Sequence, residues 1–528
     1  MYDYIIVGGG SAGCVLANRL SKDPKNQVLL LEAGPKDNNP MIHMPGGCAE
    51  VLKSNKLNWK FESVPQKHVG NTRFEIPRGK TLGGSSSSNG MVYIRGNAGD
   101  YDEWAELGNE GWSYNDVLPL FKRGEQFNRG ANEFHGEEGE LYVSEAPGDN
   151  PLFDLFIKAG VDAGYKENDD FNGADQEGIG RFHATIKEAK RWSSASAFLK
   201  PALERKNLTV ICEALVNKVI MNDGTAVAVE YVRKKKTHQV TANKEIVLCG
   251  GAIKSPHILQ LSGIGDSTEL KAAGIEPKVV LPGVGKNLQE HLDWIFRYTV
   301  NEPITLNGQD RFPHNVKIAW DYFVHKKGIA ACNNIEAGGF LKTRDDVDRP
   351  DVQLHFVPCN MGGVTEKLPS EHGITVHACN LRPFSAGSVK AIDNNPQSKP
   401  EVDFNFMSDS RDNQVMIDAF KMIRKIMSVN TWGGMLKEEI APGSHVQSDD
   451  EILAAIGNNT DTVYHPVGTC KMGSDALAVV DARLRVHGVK GLRVADASIM
   501  PKLLSGNTNA PSMMIGEKCA NMLLEDNQ

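Results

Sequence analysis

The stretch YIIVGGGSAG, Tyr4 to Gly13, constrains this chain more than any other. Tyr4 to Val7 have the length of a buried parallel strand, and the residues after the glycines, SAGCVLANRLSKD, have the small and apolar spacing of an amphipathic helix. Between them, Gly8, Gly10 and Gly13 fit G-x-G-x-x-G. In a strand–turn–helix unit the first glycine permits the tight turn. The second lets backbone N–H groups approach a pyrophosphate, and the third lets helix and strand pack closely. Glycine triplets also occur in ordinary loops, so the next strand is needed to decide. It reads QVLLLEAG and ends on Glu32, about 20 residues past the glycines, where an acid binds a ribose 2′-hydroxyl and would repel a 2′-phosphate. The expectation is an adenine dinucleotide on a Rossmann-type α/β domain; the turn alone leaves open which dinucleotide.

A chain of 528 residues is too long for one simple core and predicts two or more domains, interleaved if the cofactor domain is discontinuous. The net charge of −8 gives no electrostatic reason to expect nucleic acid. One dense basic run, VRKKKTH from Val232 to His238, reads as an exposed hairpin edge, with an anionic membrane surface as the sharper alternative. The nine cysteines form no C-x-x-C pair and read as reduced thiols of a cytoplasmic protein without a metal site. The first strand begins at residue 2, which leaves no room for a signal peptide, and no run of about 18 apolar residues suggests a membrane span. Peripheral contact with the inner membrane face stays open, as does the oligomeric state.

Further along, RGKTLGGSSSSNGMVYIRG, Arg78 to Gly96, has linker composition but apolar flanks, which predicts a packed loop lying against a ligand. Alternating segments on either side of Asp223-Gly224 predict a hairpin, and EIVLCGG reads as a strand returning to the cofactor domain. A helix is expected to start near Ser255-Pro256. Scattered polar strands such as PDVQLHFVP and GITVHACNLRP mark a substrate-side domain. The expected division is 1–150 and 191–298 for the cofactor domain, 151–190 and 299–455 for the substrate side, and 456–528 for a closing C-terminal segment.

Several stretches together resemble the glucose-methanol-choline (GMC) oxidoreductases: VGGGSAG…LLLEAG, GKTLGGSSSSNGM, GAIKSPHILQLSGIG, LPGVGKNLQEHL, YHPVGTCKMG and ADASIMP…GNTNAPSMMIGEKCA. The resemblance runs from residue 1 to about residue 524 and is similar in detail to the bacterial FAD-dependent alcohol dehydrogenases and choline dehydrogenases. It implies FAD, and an α/β fold (α+β overall) in which the Rossmann-type domain is interleaved with a substrate domain built on an antiparallel sheet with helices. It further implies that Gly8, Gly10, Ser11, Ala12 and Gly13 face the pyrophosphate and that Glu32 and Ala33 meet the adenosine ribose. Gly83, Gly84, Ser85, Asn89, Gly90, Met91 and Val92 are expected along the flavin and diphosphate, Val216 at adenine, and Asp496 and Ala497 beside the ribityl chain. Members that bond their flavin through histidine carry it just before the residue matching Asn89; here that slot is Ser88, which implies FAD held without a covalent bond.

Alcohol oxidation requires the hydroxyl proton to reach a base and the carbinol hydride to reach flavin N5. A neutral imidazole suits the first task. Of 15 histidines, His465 sits in the motif matching the family's catalytic histidine, and Asn509 falls in the partner slot, where an amide donor would hold the substrate oxygen. As the bland alternative, Asn509 caps the helix before Ala510-Pro511; the two roles are also compatible, with Asn509 serving one and Asn507 the other. Glu336 is a candidate carboxylate for a cationic substrate, without an aromatic neighbour at Ile335. The reading is a primary-alcohol dehydrogenase passing electrons to a quinone or other acceptor. An oxidase using O2, a choline dehydrogenase and, from another class, a hydroxynitrile lyase are the alternatives.

Overall fold

The computed structural model describes residues 1–309, 311–363 and 368–527. β1 (Tyr2–Val7) feeds a glycine turn into α1 (Ser11–Leu20), followed by β2 (Val28–Leu31). The parallel sheet runs in the order Leu208–Ile211, β2, β1, β3 (Lys236–Leu248), Leu492–Val494. Val28–Leu31 are all buried, as expected for a parallel strand covered on both faces. β3 has two parts: its last four residues are buried in the parallel core, while its exposed first half pairs antiparallel with Thr225–Arg233. Asp223-Gly224 turns that strand back to Leu215–Asn222, and the basic run lies on the next hairpin, with Lys234 and Lys235 at the turn.

Sterics explain the glycine turn. A Cβ on Gly8, whose φ is +111°, would lie 2.4 Å from the Cys249 carbonyl oxygen, and one on Gly13 would lie 1.9 Å from that of Gly8. Both positions need glycine for packing. α2 (Gly251–Leu261) follows β3, and it starts before the expected Ser-Pro pair, so Pro256 lies inside it. Ala252 O, which the missing N–H of Pro256 would have engaged, instead accepts from Thr469 Oγ1 at 2.6 Å, so the helix passes through the proline without an orphaned carbonyl. α3 (Asn509–Asp526) packs on α1, with Gly516 close enough to Ala12 that a Cβ would lie 2.7 Å from its carbonyl oxygen.

The second sheet is antiparallel and orders Leu436–Ala441, β4 (Leu292–Val300), β6 (Gly373–Asn380), β5 (Val352–Val357), Ala337–Leu341, Gly178–Arg181, with Thr460–Thr462 also on β4. One face is covered by the helix Arg411–Met427: Trp294 Nε1 donates to Met416 O at 2.8 Å and its ring meets Phe420 at 5.3 Å. Strand alternation then sends Asp293 and Ile295 the other way, toward the cofactor domain. The register puts Ile295 beside His377 and His377 beside His355, so a row of side chains crosses three strands on that face.

Candidate active site

One cavity runs between the two sheets, from the glycine turn and Val216 at one end to His465 and Asn507 at the other. Most residues expected at the cofactor line it: Gly8, Gly10, Ser11, Ala12, Glu32, Ala33, Gly84, Ser85, Asn89 to Val92, Val216, Asp496 and Ala497. Gly13 and Gly83 are not in the lining; Gly13 packs helix on strand, and Gly83, at φ +88°, donates its N–H to Gly9 O at 2.7 Å and ties the two loops together. A Cβ on Gly10 would meet nothing closer than 3.9 Å, whereas one on Gly84 would come within 2.7 Å of Gly10 Cα. Bare backbone therefore faces open space, as a diphosphate cradle requires.

Glu32 accepts from Gly9 N–H at 2.9 Å and Gly34 N–H at 2.7 Å, which hold the carboxyl at the strand end, and burial pushes its pKa up to about 7. Asp496 accepts from Gly251 N–H at 2.8 Å, Ser255 Oγ at 2.6 Å and Ser498 N–H at 2.8 Å. It thereby joins the last strand of the parallel sheet to the start of α2.

At the far end, the strand Thr460–Thr462 leads into Tyr464, whose φ of +67° turns the chain so that His465 faces the cavity. Arg78 donates to Tyr464 O at 2.6 Å, and the His465 N–H donates to Glu290 Oε1 at 2.7 Å. Both ring nitrogens have partners. His465 Nδ1 lies 3.1 Å from His291 Nδ1, and Nε2 lies 3.2 Å from Asn507 Nδ2. His291 Nε2 in turn lies 3.1 Å from the Leu381 carbonyl oxygen, and Asn507 Oδ1 accepts from Gln353 Nε2 at 3.1 Å.

These partners fix the tautomers. A carbonyl only accepts, so His291 carries its proton on Nε2 and presents a lone pair at Nδ1. His465 must then carry its proton on Nδ1, which leaves a lone pair on Nε2 at the cavity, facing the Asn507 amide. Burial first, then His291, His355 and Arg78, holds the His465 pKa well below the ordinary imidazole value. Burial takes His291 down to about 4. Both rings are neutral at neutral pH, and the lone pair is available.

Asn509, the expected partner, is not the residue beside His465. Its Oδ1 accepts from Ser11 Oγ at 2.7 Å, joining the first turn of α3 to the glycine turn, while Asn507 occupies the place at the imidazole. The physical reason is the helix start: Asn509 is already helical and its side chain points back toward α1, whereas Asn507 still lies in the approach loop after Gly506, at φ +138°. His291, in the EHL of LPGVGKNLQEHL, carries no signal in the sequence that pairs it with His465. Glu336 is fully buried, accepts from Gly148 N–H at 2.6 Å, lies 3.5 Å from Arg181 Nη1 and does not line the cavity.

A dinucleotide cradle and a buried neutral imidazole stand at opposite ends of one cavity, an arrangement suited to an oxidoreductase, and the chain belongs to the GMC oxidoreductase family, whose N- and C-terminal models match residues 2–293 and 383–516. Its cofactor is FAD. It is 46% identical to the alcohol dehydrogenase (acceptor) of Pseudomonas putida over 528 residues, covering 99% of this chain and 96% of that protein. It is also 41% identical to the oxygen-dependent choline dehydrogenase of Brucella anthropi, covering 99% and 95%. Among solved structures, pyridoxine 4-oxidase from Mesorbium loti superposes with a TM-score of 0.90 at 29% identity over 99% of each chain. Among the described residues no helix is long and apolar enough to cross a membrane, and no group of side chains could hold a metal ion.

Proposed function

We propose that the protein oxidises an uncharged primary alcohol to the aldehyde, with His465 as the base, and that electrons leave to a quinone or another acceptor. The observation that carries this is the unprotonated Nε2 of His465, which faces the cavity and meets the Asn507 amide at 3.2 Å. Bound FAD supplies the two-electron acceptor. The substrate hydroxyl takes up a hydrogen bond from Asn507 Nδ2 and gives its proton to His465 Nε2, while Gln353 holds the amide in that orientation. His291 cannot take the proton onward, since its other nitrogen is committed to a carbonyl.

The cavity wall favours an uncharged substrate. Ile295, Ile335, Val357 and Met361 line it. Two carboxylates reach the lining on this side: Asp293, whose Oδ2 lies 2.6 Å from His377 Nδ1 while Oδ1 has no hydrogen-bond partner, and Asp461, which accepts from Tyr464 OH at 3.2 Å and whose pKa burial pushes up to about 6. Mixing the FAD-loaded protein with aliphatic alcohols, choline and a hydroxynitrile in the absence of oxygen tests the reading. Bleaching of the flavin by alcohols is expected. Bleaching by choline alone would replace the substrate class, and hydroxynitrile cleavage with no bleaching by any alcohol would replace the reaction.

The FAD is held without a covalent bond on this reading, because Ser88 lines the cavity where a linking histidine would stand and offers no ring nitrogen. Acid denaturation is expected to leave all flavin absorbance in the supernatant; yellow precipitated protein would refute it. The lowered pKa of His465 also has a direction. Since the neutral ring is the active form, the rate of flavin reduction should be flat through neutrality and fall only below the ordinary imidazole pKa of about 6.5. A rate that climbs with pH from 6.5 to 8 would place the controlling ionisation elsewhere. A reducing, cytoplasmic setting belongs to the same reading, in keeping with nine cysteines that form no C-x-x-C pair.

A further inference from the structure

The helical segment that begins at His314 and runs through His325 carries large apolar side chains that the fold does not use. Phe312 is 81% exposed, Val316 59%, Trp320 61%, Phe323 64% and Val324 52%. Steps of four and then three or four from Val316 through Trp320 to Phe323 and Val324 place these along one outward stripe of the helical segment, and Phe312 stands exposed just before its first turn. The segment holds to the body of the protein through Tyr322 and Ile318, which pack on Ala330, Ala331 and Met44. Globular surfaces scatter single apolar residues; a contiguous stripe of aromatic ones marks a contact surface.

Charge says what that contact is. Arg311, Lys317, Lys326 and Lys327 are exposed around the stripe, with Asp321 as the acid of residues 311–327, on a chain whose net charge is −8. A second copy docked through the same patch about a two-fold axis would set these cations against their own counterparts. A lipid surface with anionic headgroups satisfies both features: aromatic side chains enter the boundary between headgroups and acyl chains, and lysines reach the phosphates beside them. The chain that follows the segment leads directly to the cavity. Asn333 Nδ2 donates to Gly90 O at 2.8 Å, and Ile335 is part of the lining.

We propose that residues 311–327 seat this protein on an anionic lipid surface, with the stripe from Phe312 to Val324 as the inserted face. The exposed Lys234–Lys236 hairpin, the basic cluster conspicuous in the sequence, has no comparable apolar face and is not the docking element. The proposal concerns where the proposed oxidation takes place but does not depend on it, because binding is read without substrate.

Full-length, FAD-loaded protein should sediment with vesicles of phosphatidylcholine containing phosphatidylglycerol, less so at high salt, and weakly with phosphatidylcholine alone. Combining Val316→Ser, Trp320→Ser and Phe323→Ser should lower the bound fraction by at least ~10-fold while leaving FAD content and flavin reduction in vesicle-free buffer unchanged. Lys317→Gln with Lys326→Gln and Lys327→Gln should remove the preference for anionic vesicles. Wild-type protein that binds no vesicles would overturn the proposal, as would a stripe variant that binds as well as wild type. So would loss of binding from Lys234→Gln, Lys235→Gln and Lys236→Gln alone, or a dimer that the stripe variant converts to monomer without any vesicle binding.

Discussion

His465→Ala is expected to slow reduction of the bound flavin by alcohol ~10²–10⁴-fold, the loss typical of removing a positioned general base, while the protein keeps its full complement of FAD. The two effects separate because of distance along the cavity. The glycine turn and Glu32 lie at the end opposite His465, and the backbone N–H of residue 465 still reaches Glu290 after the side chain is cut back. Among the hydrogen bonds of the described residues, His465 is the histidine that meets Asn507. His355 and His377 line the same cavity, but His377 is bound to Asp293 and its pKa is raised, which takes it away from accepting a proton. Stopped-flow reduction without oxygen isolates the step from acceptor chemistry. A variant that holds FAD and is reduced at the wild-type rate would show that the base is another group.

Asn507→Ala should produce the second-largest loss, ~10²–10³-fold in the same step, the range seen when one preorganised donor is removed from a developing charge. The same substitution leaves Gln353 Nε2 without its acceptor, so a smaller side chain does not simply open room for substrate. Asn509→Ala should act differently. It cuts the bond to Ser11 at the glycine turn, so FAD should be lost more readily on dilution, with a smaller change in the reduction rate of the molecules that keep it. Asn507→His, which restores a donor at the imidazole, should recover part of the rate. If Asn509→Ala is the variant with the larger kinetic loss, the partner of His465 has been misplaced by two residues.

The parts of the site legible from sequence are those whose chemistry is local. The turn at Gly8, Gly10 and Gly13 and the acid at Glu32 sit on consecutive elements, and their spacing carries the sterics directly. His465 was legible through its motif. The Asn507–Asn509 ambiguity was not, because two asparagines two residues apart differ only in which side of a helix start they fall on. Alanine-proline after Asn509 marks that start only to within a turn. His291 was hidden for another reason. It lies 174 residues before His465 and reaches it through antiparallel pairing of Leu292 with Thr462, a register that no local pattern states. The helix starts at Gly251, ahead of the Ser255-Pro256 pair, because a hydroxyl from Thr469, distant in the chain, compensates for Pro256.

The order of strands in the parallel sheet also sets a timetable for synthesis. β1 takes β3 as its neighbour, and β3 leaves the ribosome roughly 230 residues later, which at ~5–20 residues per second is about 10–50 s of waiting with an unpaired apolar edge. The sheet then waits about as long again for Leu492–Val494 to close its other side. Asp496, Asn507 and α3 come from the same stretch as that strand, so the proposed cradle has all its parts only once that stretch has emerged. A cradle assembled in that order would take up FAD only after Leu492–Val494 has joined the sheet.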